Sequence, residues 1–549
     1  MQAQQLGTLY QSLQRTVAKY GERPAYAVPP MAGRAYHPDG REFTWNETYA
    51  AVQERIGYYR QAGYGPGHRV AILFEQRPEF VFHHLALNAL GCCTVPVSPD
   101  YRHEELVYLL EHSESSVALG IIERVEDLRS AADALSNPIP VLLFDDLTTP
   151  LPPPQRPALD VIPDATTEAT LLYTSGTTGR PKGCVLTNEY FHFWALWFLS
   201  RGHTLALEEG VERLYNPLPL HHANCLSISL PTMLVAGGCL IFPDRFHAST
   251  FWADIVDCAV TAIQFQGVIP AILLKLPEVK QERAQRVKFV LCAGCEPNLH
   301  ALFEQRYGIP LVEMWAMTET GRMTTDHVEP RMIHTRALGR SCPGAELRAV
   351  DASGSEVPVG EPGELVIRHS AQTPRLGFFS GYLKNRQATE EAWRDGWFRT
   401  GDTVQRDASG MFFFMDRSKN IIRRAGENIA AAEVEERITL HDKVKQVAVL
   451  AVPDELREEE VMALVVPKAT EPANSELARE LFEYCCAHLA YFKAPGYMLF
   501  VDQLPTTSSQ KIQKVKIFAP GVDPRQQPGV IDLRSFKKKS ATSSAKGHR

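Results

Sequence analysis

Polar and hydrophobic positions along the chain switch repeatedly between helical spacing and short apolar runs. Thr44 and Glu47, three residues apart, form a capping-box signature that predicts a helix running to about Gln61. Gly63 and Gly65-Pro66-Gly67 break it, and Val70 to Phe74 reads as a short buried strand. Pro78 can open the next helix at its first turn; that helix carries His83 and His84 and ends at Gly91. Cys93 to Val97 is a further strand and Arg102 to Ser113 a further helix. Such alternation predicts an α/β fold with a mainly parallel sheet and helices on its faces. Later strands are expected at Lys288–Leu291, Met411–Met415, Val447–Val452 and Glu460–Pro467, and helices at Ala431–Leu440 and Glu476–Ala490. The stretch from Glu361 is rich in strand patterns and follows a turn at Asp351–Gly354, which predicts a β-rich piece between the two α/β parts.

Composition narrows the class. At 549 residues the chain exceeds one hydrophobic core, so two or more domains are expected. A net charge of −7 carries no electrostatic footprint for nucleic acid. Met1 to Tyr10 lacks the basic-then-apolar layout of a signal peptide, and the longest uncharged apolar run, Leu226 to Phe242, holds Pro231 and Gly237-Gly238 and is too short to span a bilayer. The expectation is a cytoplasmic protein without a membrane span. The eleven cysteines are an odd, scattered set that fits a reducing compartment. Cys292-Ala293-Gly294-Cys295 has C-x-x-C spacing but no partner pair, so pocket-lining thiols are expected rather than a metal or redox site.

The candidate chemistry centres on Tyr173 to Gly183, YTSGTTGRPKG, which lies between apolar runs and reads as a loop between strands. Its glycines allow close backbone approach to an anion, its hydroxyls supply donors, and Lys182 supplies a point charge for phosphate. It is not a Walker loop, because Arg-Pro-Lys-Gly follows Gly179 where Lys-Ser or Lys-Thr would be needed. The string closely resembles the phosphate loop of the adenylate-forming enzymes: acyl-CoA synthetases, luciferases and adenylation domains. By that resemblance Thr174, Ser175, Gly176, Thr177, Thr178, Gly179 and Lys182 cradle the phosphates of ATP.

Further segments match the family in order. Pro219-Leu220-His221-His222 places His222 at the family's histidine beside the acyl pocket, with His221 where an aromatic usually stands. Val260–Leu274 corresponds to a wall of that pocket, where Gln264 and Gln266 favour a compact or polar acid. Gly294, Cys295 and Glu296 match the turn along the adenine. Trp315-Ala316-Met317-Thr318-Glu319 resembles Y-G-M-T-E, which implies adenine stacking by Trp315, a phosphate contact from Thr318 and Mg2+ held by Glu319. Asp402, in Gly396-Trp397-Phe398-Arg399-Thr400-Gly401-Asp402, and Arg417 are implied ribose ligands. Lys419 is the implied pivot, Arg423 and Gly426 lie by the implied CoA tunnel, and Lys511 takes the adenylation lysine's place, with Gln510 where glycine is usual. Arg322, three residues after Glu319, would pair with a second anionic group on the acid if it faced the pocket; a solvated or ATP-facing arginine is the alternative.

The resemblance implies a large N-terminal domain over 1–416, a hinge at 417–420 and a small mobile α+β domain over 421–533. A basic tail over 534–549 is expected to be disordered, since Lys537, Lys538, Lys539, Lys546 and Arg549 run without an acid. Arg423–Asn428 and Phe492–Pro495 look most like betaine/carnitine-CoA ligases. The implied activity is an AMP-forming acid–CoA ligase using ATP, Mg2+, coenzyme A and a small carboxylic acid, with a homodimer possible. The alternatives are a stand-alone adenylation enzyme loading a carrier protein, a luciferase-like oxygenase and a non-catalytic nucleotide-binding regulator.

Overall fold

Thr44 caps helix Trp45–Gln61 reciprocally: its hydroxyl accepts from the Glu47 amide at 3.1 Å, and the Glu47 carboxylate accepts from the Thr44 amide at 2.8 Å. Pro78 opens helix Pro78–Ala89, where its missing N–H costs nothing. The computed structural model describes residues 3–174, 180–295, 297–417, 421–468, 471–505, 514, 517–519 and 521–537, and for Val268, Asp416 and Arg417 the backbone only.

Two sheets dominate the large part. In the seven-stranded sheet Arg69–Leu73, Cys93–Val97, Val117–Gly120, Val141–Leu143 and Glu168–Thr174 run parallel, and Lys182–Thr187 and Gly381–Tyr382 add antiparallel at one side. In the eight-stranded sheet six neighbouring strands are parallel, and Arg41–Thr44 and Thr324–Thr325 close the two edges antiparallel. Helices bury both, so the parallel strands read as continuous apolar runs. The run from Leu226 to Phe242 lies in this core as a π-helical turn, Asn224–Ser229, helix Leu230–Ala236 and strand Cys239–Ile241. Among the described residues no helix is long and apolar enough to cross a membrane.

A third sheet, Glu346–Val350, Pro362–Arg368, Trp397–Arg406, Met411–Arg417 and Ala337–Arg340, is antiparallel. Beyond it Ile421–Arg424, Glu427–Ala430, Val444–Asp454, Glu458–Pro467 and Tyr497–Phe500 form a fourth sheet covered by helices Ala431–Thr439 and Ser475–His488. Its core, with Ile422, Ile429, Val434, Val449 and Leu481, is separate from the large one.

One expectation is corrected here. Residues 534–537 are ordered against the small domain: Arg534 pairs with Asp454 at 3.2 Å and Asp532 at 2.7 Å, and the Lys537 ammonium is buried against Glu460 at 2.5 Å. Locally the run looks solvated because most of the acids that neutralise it lie far upstream in sequence. The rest of the basic tail, with residues 418–420 of the expected hinge, lies outside the described residues.

Candidate active site

The site forms outside the carboxyl ends of parallel strands, where α/β sheets place ligands. Strands Phe289–Ala293 and Leu311–Trp315 are neighbours in register, Cys292 opposite Glu313 and Ala293 opposite Met314. Gly294, at φ 78°, turns the chain away from the first. The Gly294 and Cys295 amides then donate to the Glu313 carboxylate at 2.7 and 3.0 Å. Burial raises the Glu313 carboxyl to about 8 even though these amides favour its ionised form. Glu313 is a residue that motif reading missed; an acid within an otherwise apolar strand was the available signal. Cys292 and Cys295 are buried, and burial pushes the Cys292 thiol well above its ordinary value, which suits a packing thiol.

After Leu311–Trp315 come Thr318 and Glu319. Trp315 uses its indole edge: Nε1–H donates to the Asp402 carboxylate at 2.8 Å, and both side chains are buried. Asp402 lies on Trp397–Arg406, opposite Arg417 in the neighbouring strand. The Thr318 carbonyl accepts from the Tyr190 hydroxyl at 2.6 Å, and the Glu319 carboxylate accepts from the Tyr382 hydroxyl at 2.7 Å. Burial and the Glu319 charge raise the Tyr382 phenol far above its ordinary value, so it stays a donor. The Lys182 ammonium sits 4.9 Å from the centre of the Tyr382 ring, at the far end of the hairpin that begins at Thr174. Tyr382, like Glu313, carries no local motif. Ser175, Gly176, Thr177, Thr178, Gly179, Glu296 and Lys511 lie outside the described residues, as does the Arg417 side chain.

Thr174, Lys182, Thr318, Glu319 and Asp402 line one cavity of about 490 Å³, and the small domain completes its wall with Arg423, Gly426 and Asn428. Gly426, at φ 91°, comes so close that a Cβ there would fall 2.3 Å from Gln266 Oε1. His222 bonds Glu427 across the domains at 3.0 Å. Burial works against both charges, but each stabilises the other: the imidazole is raised above its ordinary value and Glu427 is held down to about 2. Lys493 spans Glu105 of the large domain at 2.6 Å and Glu433 at 2.7 Å, and is raised by them despite burial. Pairs of Glu104 with Arg437 and His488 are more exposed and contribute at most ~1 kcal/mol each, so the buried Lys493 contacts matter more. A larger cleft of about 1010 Å³ between helix His103–Ser113 and the small domain contains the Glu104 pairs but not the Thr318, Glu319 or Asp402 side chains.

Gln266 lines the cavity, whereas Gln264 lies behind it, accepting from Ser229 at 2.8 Å and donating to Asn224 Oδ1 at 2.9 Å. His221, His222 and Glu427 bring donor atoms within 4.8 Å of one another, an approach the His222–Glu427 ion pair explains. The Glu319 carboxylate lines the cavity together with Lys182, a hard oxygen donor whose chemistry fits Mg2+ carried by a polyphosphate. The pocket role considered for Arg322 is overturned. Its side chain is fully buried, donates to the Thr320 carbonyl at 3.1 Å and to those of Gly344 and Leu376, and lies 4.5 Å from the Phe378 ring centre. Loop carbonyls brought together from three segments satisfy it, so it turns inward.

The AMP-binding enzyme family matches residues 13–383, and the AMP-binding enzyme C-terminal domain matches residues 433–511. The chain belongs to the AMP-binding enzyme family. Among AMP-binding enzymes it is 31% identical to sulfoacetate–CoA ligase of Cupriavidus necator over 519 residues, covering 91% of this chain and 95% of that one. Crotonobetaine/carnitine–CoA ligase of Escherichia coli is 27% identical over 509 residues, covering 90% and 95%. The fold is shared with o-succinylbenzoate CoA synthetase of Bacillus subtilis bound to a product analogue, at a TM-score of 0.77 and 24% identity, covering 92% and 98%. A malonyl-CoA ligase bound to methylmalonyl-CoA and AMP aligns with a TM-score of 0.72 and 25% identity, covering 88% and 97%.

Proposed function

We propose that this AMP-binding enzyme is an AMP-forming acid–CoA ligase acting on a small polar carboxylic acid. The acid's carboxylate attacks the α-phosphorus of ATP and pyrophosphate leaves; the CoA thiol then attacks the acyl carbonyl of the adenylate and AMP leaves. The observation that carries the reading is one cavity shared by both halves of that chemistry. Lys182, Thr318, Glu319 and Asp402 face it from the large domain, and Arg423, Gly426 and Asn428 from the small one.

The roles are those the family resemblance implies, and the donors that face the cavity support them. Lys182 and Thr318 bind phosphate oxygens, with the Thr174–Gly179 loop. Glu319, oriented by the Tyr382 hydroxyl, would hold the magnesium, which would supply charge neutralisation at the phosphates. Asp402, held by Trp315, and Arg417 bind the ribose hydroxyls. Gly294 and Cys295, braced by Glu313, lie along the base with Glu296. Lys511 bridges the attacking carboxylate and an α-phosphate oxygen; a preorganised donor of this kind is worth roughly 3–4 kcal/mol. Between the half-reactions the small domain turns about Lys419 within a 417–420 hinge, exchanging Lys511 for Arg423 and Gly426 at the site.

The cavity wall at Trp194, Ala223, Asn224, Ile228 and Gln266 is neutral and partly polar, with His222 at its edge. It suits a short acid whose far end is polar, the kind of acid named for the sulfoacetate and crotonobetaine/carnitine ligases. A panel of sulfoacetate, crotonobetaine, malonate and unsubstituted short acids, scored for pyrophosphate and for CoA thioester, tests this. Acid-dependent pyrophosphate and thioester are expected with at least one. No pyrophosphate with any acid overturns the reading, and pyrophosphate without thioester favours carrier-protein loading.

A further inference from the structure

The C-terminal family match ends at residue 511, yet the chain continues and folds back onto the small domain. Ile531–Asp532 adds an antiparallel edge strand to Tyr497–Phe500, with Tyr497 opposite Asp532 and Met498 opposite Ile531. The Leu533 amide donates to the Gly496 carbonyl at 2.8 Å, and its side chain enters the small domain's core. Arg534 reaches Asp454 at 3.2 Å and covers the Tyr497 ring at 4.7 Å.

The segment ends in a buried charge cluster. Lys537 Nζ lies 2.5 Å from Glu460 Oε1 and donates to the Phe492 carbonyl at 3.1 Å. The other Glu460 oxygen accepts from Arg424 Nε at 2.8 Å. All three side chains are buried, with Glu460 fully so. Two cations therefore share one carboxylate in a dry setting, an arrangement that is costly to leave half-formed. Burial and the nearby Arg424 lower the Lys537 ammonium to about 7, against the pull of Glu460.

The cluster's neighbours are what give it a function. Arg424 ends strand Ile421–Arg424, directly after Arg423 and before the Ala425-Gly426 turn that abuts Gln266. Phe492 precedes Lys493, whose ammonium spans Glu105 and Glu433 between the domains. Through Glu460 and Phe492 one lysine thus ties together two segments by which the small domain meets the large one.

We propose that residues 521–537 form a strap whose Lys537 is a positioning residue for thiol transfer, holding the Arg423–Gly426 turn and the Phe492-Lys493 turn in register with the cavity. Lys537 touches no substrate. Its effect falls on the half-reaction that uses this face of the small domain and spares the one that uses Lys511. The inference rests on the two-step ligase reading above.

The test compares full-length wild type, Lys537→Met and Lys537→Arg by amide hydrogen exchange and by the separated half-reactions. Lys537→Met is expected to speed exchange over 421–430 and 491–496 about tenfold, with helix Pro78–Ala89 unchanged. Pyrophosphate release without CoA should stay within about threefold, while the KM for CoA, measured with preformed acyl-adenylate, should rise about tenfold. Lys537→Arg should restore most of both. Unchanged exchange, or equal losses in the two half-reactions, overturns the strap. Should Lys537→Met not fold, Arg534→Ala loosens the same segment from its partly exposed end, and the same split in a milder form, about threefold, is required of it. A wild-type enzyme that activates no acid would count against the ligase reading, and the exchange result would then decide the strap by itself.

Discussion

Trp315→Phe isolates one bond in the candidate ribose site. The substitution keeps an aromatic ring at the position but removes the Nε1–H that donates to Asp402 at 2.8 Å. Trp315 is 4% and Asp402 3% exposed, so no bulk water replaces the lost donor. A hydrogen bond to a charged group is worth about 1.5–3 kcal/mol, which corresponds to roughly 10- to 150-fold. If Asp402 grips the ribose only when so oriented, kcat/KM for ATP falls by that factor, and discrimination between ATP and 2′-deoxy-ATP shrinks with it. Thiol transfer from preformed adenylate should also weaken, because the adenylate carries the same ribose. The assay is steady-state pyrophosphate release with each nucleotide, beside a melting curve to separate folding loss from site loss. A folded Phe variant with wild-type kcat/KM for ATP and wild-type discrimination would refute the reasoning and return Trp315 to stacking alone.

Lys511→Ala should cut pyrophosphate release ~100- to 1000-fold while thioester formation from synthetic adenylate and CoA stays near wild type; equal losses in a folded variant would remove domain alternation about Lys419. Arg322→Ala should lower stability by about 3 kcal/mol, read from the denaturant midpoint, because it strands one buried and two part-buried carbonyls and empties a buried site. It should leave the preference between mono- and dicarboxylic acids unchanged. The His222–Glu427 pair should make closure pH-dependent: its contribution is complete below the ordinary histidine value and is lost as pH rises through the raised one. Both side chains are partly exposed, so about fivefold in the KM for CoA is expected across that range, and Glu427→Gln should flatten the profile.

Thr174, Lys182, Thr318, Glu319 and Asp402, each singled out within a short contiguous string, line one cavity. A phosphate loop needs glycines, hydroxyls and a lysine within a few residues, and a Thr-Glu pair after an aromatic strand end is equally local. Glu313, Tyr382 and Glu427 escaped that reading for one reason: each acts on a partner distant in sequence or on the neighbouring strand. Arg322 was misjudged for the converse reason. Its nearness to Glu319 in sequence says nothing about the Gly344 and Leu376 carbonyls that turn it inward.

The sequence alone determined the alternation of strands and helices, the capping of Trp45–Gln61, the strands Glu168–Thr174 and Lys182–Thr187 on either side of the glycine-rich stretch, and the family, since periodicity, caps and short motifs are local properties. Tertiary structure decided which donors meet. It set the Trp315 edge on Asp402, the Gly426 turn against Gln266 and Lys537 beneath Arg424. Lys537, solvated in isolation, became a buried anchor because folding carried Glu460 to it from 77 residues away, and a buried carboxylate needs its cations close at hand.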